Sequence, residues 1–215
     1  MLMKVIVLGA NGRTGKHVLQ VALERGFDVT AVVRSHDKQP SIKHERLTAT
    51  IGDPCDPEFL TKVFRGQDVV ISTLGGRRPT KAATSVYFQS ADAIVTAARD
   101  TGLKRVLVTS TALLFPPRTL VEKILPLIVR HIVRSAARME QVLKNSDLNW
   151  TVARCGFLTG EEEPKYRSEQ GRSPLNGSSV SRLGLAHFLV DAIEGTDSSC
   201  QVFGVSSPEK QPKPK

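Results

Sequence analysis

The chain has 215 residues, 40% of them apolar and 24% charged, and a formal net charge of +9. That length suits a single α/β domain with a substantial core, and the composition excludes a disordered or membrane-embedded chain, since no apolar run approaches the ~20 residues of a bilayer span. Cys55, Cys155 and Cys200 are odd in number and lack metal-ligand spacing, so neither a disulfide framework nor a zinc site is expected. The basic residues are scattered and only two Tyr and one Trp are present for base stacking, which argues against a nucleic-acid partner. Met1-Leu2-Met3-Lys4 leads straight into an apolar segment without the features of a signal peptide, so the expected compartment is the cytoplasm, with no membrane contact.

In chain order, Lys4–Leu8 is a β-branched strand, and a glycine turn follows it. Thr14–Arg25 then carries Val18, Leu19, Ala22 and Leu23 at helical spacing, and Gly26 ends that helix. Asp28–Val33 is a second strand, completing a βαβ unit. The alternation continues with a strand at 47–51, a helix at 57–64, a strand at 68–72, a long helix at 81–101 and a strand at 105–109. Past Phe115-Pro116-Pro117 a helix runs to near Asn145, with Pro126 breaking or kinking its start. A sixth strand, Asn149–Arg154, precedes a polar stretch rich in Gly, Pro and Ser. That stretch, at about 156–180, reads as a substrate-side loop or lid. A helix at 182–194 capped by Ser181 and a strand at 201–205 close the domain. The expectation is a Rossmann-type doubly wound parallel sheet with helices on both faces over residues 1–207, followed by a disordered basic tail at 208–215.

The turn Gly9-Ala10-Asn11-Gly12-Arg13-Thr14-Gly15 carries the chemistry. A glycine at a strand end permits a sharp turn, a second lets the backbone approach a pyrophosphate, and a third lets the helix pack close to the sheet. The amides opening the helix then face the diphosphate, where the helix dipole favours negative charge. Arg13 and Thr14 supply further contacts. The context, a strand before and a helix after within a βαβ unit, is the one that gives such a glycine pattern its meaning. The residue ending the second strand selects the dinucleotide: a carboxylate holds the ribose hydroxyls, and an arginine accommodates a 2′-phosphate. Here it is Arg34, with Lys38 a second cation and Asp37 the one nearby acid, so NADP(H) is the expected cofactor.

Through Val7–Gly15, Ala31–Arg34, Gly52-Asp53, Gly66–Val70 and Val108–Ser110, the chain resembles the atypical short-chain dehydrogenase/reductases. It is most similar to the NAD(P)H-binding, NmrA-like branch that includes biliverdin reductase B, the flavin reductase. The resemblance spans Lys4 to about Pro208. It implies that Asp53 and Pro54 lie beside the adenine, Leu74 and Gly75 beside the ribose and diphosphate, and Thr109 to Thr111 beside the nicotinamide. Cys155, Gly156, Phe157 and Leu158 would cover the nicotinamide ring. The pattern departs from the family in two ways. No Tyr-x-x-x-Lys pair is present: Tyr87 is followed four residues on by Ala91, Tyr166 by Gln170, and Ile132 and Ala136 occupy the places of the pair. Histidines of the biliverdin reductase pattern are replaced by Ala136, Glu140 and Phe157.

Ser110 and Thr111, at the carboxyl end of the fifth strand, are the catalytic candidates, in a positioning role for want of a His or Lys activator; the ordinary alternative is a hydroxyl capping the strand end. Arg130, Arg134 and Arg138 form a helical stripe, either solvated or facing an anionic molecule. Arg77 and Arg78 stand after Gly75-Gly76 and suit a phosphate, a carboxylate or solvent equally; His187 reads as packing. The expected activity is hydride transfer from NADPH to a small-molecule acceptor, conjugated and possibly anionic, by a monomer or weak homodimer. A non-catalytic NADP(H)-responsive protein and a redox-neutral isomerase or dehydratase are the alternatives.

Overall fold

Strand β1 (Lys4–Leu8) organises the molecule, because Val5 and Val7 face one way, Ile6 and Leu8 the other, and all four are fully buried. A strand apolar on both faces requires cover on both. The structure, a computed structural model, describes residues 2–76, 79–195 and 198–209. On one face α1 (Arg13–Glu24) and α7 (Arg182–Glu194) pack with Val18, Leu19, Leu185 and Leu189 over Val5 and Val7. On the other, α2 (Pro57–Phe64), α4 (Val86–Thr101) and α6 (Arg130–Lys144) bury Leu60, Phe64, Ile94 and Leu143 against Ile6 and Leu8.

The remaining strands are β2 (Asp28–Val33), β3 (Leu47–Ile51), β4 (Val69–Ser72), β5 (Arg105–Thr111), β6 (Asn149–Cys155), β7 (Phe157–Thr159), β8 (Arg167–Gln170), β9 (Ser179–Ser181) and β10 (Gln201–Ser206). The sheet order is β3-β2-β1-β4-β5-β6-β10-β8, parallel throughout except for β8, which runs antiparallel to β10. This is the doubly wound Rossmann arrangement, and the order reverses between β1 and β4. At such a switch point the connections diverge to opposite faces and leave a crevice at the carboxyl ends of the strands. None of the helices among the described residues is long and apolar enough to cross a membrane.

Three features differ from the sequence expectation. The long helix at 81–101 is two, α3 (Lys81–Thr84) and α4, and the hydroxyls of Thr84 and Ser85 bond back to the Thr80 and Ala82 carbonyls at the joint. The helix around Pro126 divides as expected, into α5 (Leu120–Ile128) and α6. The break falls at Val129 (φ −101°, ψ 31°), three residues beyond the proline whose missing N–H weakens that turn. The 156–180 stretch is not all loop: β7 and β9 form a small parallel sheet, and β8, Arg-Ser-Glu-Gln, is a polar edge strand without the apolar alternation that announces one. The tail expected from 208 is fastened at its start, since Glu209 accepts a 3.0 Å hydrogen bond from Asn176 and pairs with Arg167 at 3.7 Å. Residues 210–215 lie outside the described residues.

Candidate functional site

The glycine turn is closed by steric necessity. Gly9 has φ +81°, in the left-handed region, and its carbonyl accepts the Gly12 amide at 2.8 Å. A Cβ on Gly15 would stand 2.2 Å from the Gly9 oxygen, and one on Gly12 2.9 Å from it, so neither position admits another residue without moving the turn. Thr73, just past β4, hydrogen-bonds the Leu8 carbonyl through its amide at 3.0 Å and through Oγ1 at 3.2 Å, which ties the loop to the next strand. Helix α1 then begins with no side-chain cap and no acidic residue in its first turn. Its first amides and partial positive charge are left to a ligand. Asn11 is half-buried, Arg13 exposed and Thr14 buried. Beside the turn is a cavity of about 340 Å³ whose lining includes Arg13, Lys16, His17 and Arg182 and no carboxylate. Burial, and then the neighbouring Arg13, lower the Arg182 pKa.

At the end of β2, Arg34 is exposed, but Lys38 is engaged: its Nζ lies 2.5 Å from Asp37. Hydrogen bonds from Lys38 and Ser35 hold the Asp37 carboxyl down at about 2. The acid that argued against a 2′-phosphate is therefore paired with the second cation, and Arg34 is left exposed beside it. Asp53 Oδ1 accepts the Cys55 amide at 2.9 Å, forming a tight turn over buried Pro54. Burial and Asp53 push the Cys55 thiol up to about 11, so it is inert near neutrality. Leu74 and Gly75 follow β4 at the rim of the crevice; Arg77 and Arg78 lie outside the described residues.

Across the crevice, Thr109 is half-buried and Ser110 is turned inward, donating to Glu140 Oε1 at 2.7 Å. Glu140, on α6, also receives a two-pronged pair from Arg154 at 2.9 and 2.7 Å. Arg154 donates further to the Leu114 carbonyl at 2.9 Å and lies over the Phe115 ring. Thr111 accepts the Leu113 amide at 3.3 Å, the strand-end capping that was the ordinary alternative for it. Cys155 is buried, donates to the Ser110 carbonyl at 3.3 Å, and is pushed up to about 12 by that burial. Gly156 is obligatory, since a Cβ there would stand 2.1 Å from the Ser178 oxygen. Phe157 follows and is 66% exposed. In the basic stripe Arg130, Arg134 and Arg138 are all exposed, and Arg138 stacks 3.8 Å over the Phe88 ring.

Tyr87 stands beside these residues, although its spacing to Ala91 offers no Tyr-x-x-x-Lys pair: α4 places its Oη 3.1 Å from where a Cβ of Gly75 would stand. Burial, with a smaller contribution from Cys155, raises its pKa to about 12. It is thus held protonated near neutrality, beside Gly75 and within electrostatic reach of Cys155. Nothing in its spacing signals this; only the crossing of α4 over the end of β4 does.

A model of the NAD(P)H-binding family matches residues 9–196. An uncharacterised chloroplastic protein of Arabidopsis thaliana is 26% identical over 98% of this chain and 79% of its own length. The photosystem II assembly factor Ycf39 of Cyanophora paradoxa is 29% identical over 74% of this chain and 47% of its own, so the chain spans about half the length of that relative. Among solved structures, a wide-type short-chain dehydrogenase/reductase from Veillonella parvula in complex with NADP superposes with a TM-score of 0.82 at 23% identity, covering 97% of this chain and 96% of that one. At that identity the likeness is one of fold.

Proposed function

The chain belongs to the NAD(P)H-binding family, and from that premise we propose that it is an NADPH-dependent reductase passing hydride directly to a conjugated acceptor: a flavin, a quinone or a tetrapyrrole-like ring. The cradle fits the cofactor, because Gly12 and Gly15 let the turn close tightly on the Gly9 carbonyl, and the first amides of α1 have no side-chain partner to compete with a diphosphate. Arg34 takes the 2′-phosphate, Asp53 and Pro54 flank the adenine, and Leu74 and Gly75 flank the ribose. Thr109, Cys155 and Gly156 wall the nicotinamide, and exposed Phe157 offers a planar surface for the acceptor. When bound, the reduced nicotinamide supplies hydride.

The observation that carries the reading is that the Ser110 hydroxyl proton is committed to Glu140 and Thr111 Oγ1 accepts a backbone amide, its O–H left to position an acceptor, in a chain without a Tyr-x-x-x-Lys pair. An acceptor whose charge is delocalised takes its proton from water, and the protein is left to orient and shield. Tyr87, protonated throughout the neutral range, then serves as a hydrogen-bond donor rather than an acid. The test is to mix the purified protein with NADPH and, in turn, FMN, FAD, quinones and a linear tetrapyrrole. Loss of the nicotinamide absorbance is expected with at least one of them, and its absence with all of them sinks the proposal. The same arrangement of hydroxyls suits a non-catalytic NADP(H)-responsive protein, for which equal affinity for NADP+ and NADPH without turnover is the signature.

A further inference from the structure

Helix α5 has no buried residue, and Leu120, Val121, Ile124, Leu127 and Ile128 are 71%, 67%, 48%, 73% and 71% exposed. Their spacing places all five on one face, while Glu122, Leu125 and Pro126 are half-buried on the other. Five of the nine large hydrophobics exposed among the described residues sit in this single helix, which is a patch and not the ordinary scatter of a surface. The helix is also begun by a capping box: Thr119 Oγ1 accepts the Glu122 amide at 3.2 Å, and the Glu122 carboxylate accepts the Thr119 amide at 3.3 Å. That capping consumes the one carboxylate in α5. Around it, Arg118, Lys123, Arg130 and Arg134 are exposed, and none makes an ion pair with a described residue.

We propose that α5 lies in the interfacial layer of an anionic lipid bilayer, its aliphatic stripe among the acyl chains and its flanking cations on the headgroups. An apolar face rimmed by positive charge, on a helix too short to span, is the composition of an interfacial anchor. A second copy of this chain is disfavoured as occupant, because a two-fold contact sets the patch against itself and brings cations onto cations. A protein groove is disfavoured because the stripe is wholly aliphatic and offers no aromatic anchor of the kind that dominates such interfaces. A fluid hydrocarbon phase asks only for apolarity. The expectation of no membrane contact rested on the want of a spanning segment, which a nine-residue surface helix does not alter. The proposal is independent of which acceptor is reduced.

The test is sedimentation of the full chain with phosphatidylcholine vesicles with and without phosphatidylglycerol. Binding is expected only with phosphatidylglycerol and weakens as salt is raised. Leu127→Ser with Ile128→Ser lowers the partition at least about tenfold, and Lys123→Ala and Arg130→Ala lower it about fivefold each. Because all four side chains are exposed, unchanged NADPH affinity and melting temperature certify that the variants are folded. Failure to bind phosphatidylglycerol vesicles, or equal binding to neutral ones, overturns the proposal. So does a dimer in solution that the Leu127/Ile128 change dissociates, or an acidic protein partner that binds while vesicles do not.

Discussion

The two walls of the crevice are assembled in different ways. The cofactor wall, from Lys4 to Arg34, is one continuous stretch in which strand, turn, helix and strand follow each other; the turn closes on itself through Gly12 to Gly9, and Thr73 is its tie to the next strand. The opposite wall draws Ser110, Glu140, Arg154 and Ser178 from four separate segments and closes only when β5, α6, β6 and the 156–180 excursion meet. A local construction tolerates no substitution at its tight points but can be disrupted without unfolding the rest. A non-local one couples the site to the stability of the whole domain.

The largest expected effect is at the local wall. Gly15→Val drives a branched side chain into the Gly9 carbonyl, and the NADPH dissociation constant should rise at least about a thousandfold, or ~4 kcal/mol. A fluorescence titration measures it, and retention of near-native affinity would show that the diphosphate does not lie on this turn. The counterpart at the other wall is Glu140→Leu, which leaves the Arg154 guanidinium buried without its partner and Ser110 without its acceptor. Breaking such a pair costs about 3–5 kcal/mol. The urea midpoint should fall accordingly while NADPH affinity in the folded protein barely moves; a large loss of affinity without a loss of stability would reverse the assignment of roles.

The same contrast explains what was legible in the sequence. Gly9, Gly12, Gly15 and Arg34 were readable because spacing along one stretch fixes their geometry, and the alternation of buried strands fixed the sheet around them. Glu140 entered the reading only as the place of a missing histidine, since nothing near residue 140 indicates that Arg154 and Ser110 converge on it. Tyr87 was hidden for the same reason. Strand β8 escaped because an edge strand buries neither face and needs no apolar alternation. The pairing of Lys38 with Asp37 is a matter of rotamer choice between neighbours, which spacing does not settle.

A smaller effect separates Arg34 from Lys38. Charge-assisted hydrogen bonds contribute about 1.5–3 kcal/mol each, so Arg34→Ala should weaken NADPH binding about tenfold to a hundredfold and leave NADH binding unchanged. Lys38→Ala should do less, because that ammonium is already held by Asp37. Equal losses for the two dinucleotides in Arg34→Ala would place the arginine outside the 2′-phosphate site.

The smallest effect tests the packing where the two walls meet. The chain has only two tyrosines, and both are held protonated: Tyr87 up to about 12 by burial, and Tyr166, also chiefly by burial, with its hydroxyl donating to Asp191 at 2.8 Å. A group whose pKa is higher folded than unfolded binds its proton more tightly in the native state. It therefore contributes stability that is complete below the unfolded pKa of roughly 10 and lost as pH rises through the folded value. For Tyr87 that window runs from about 10 to about 12. In the native protein tyrosinate absorbance should stay low through pH 10 and climb only as pH approaches 12, whereas in denaturant both residues ionise near pH 10. In Tyr87→Phe the native titration should lose the step near pH 12 and keep the one from Tyr166. A native rise of one tyrosine's amplitude near pH 10, absent in Tyr87→Phe, would mean that α4 does not bury Tyr87 against Gly75.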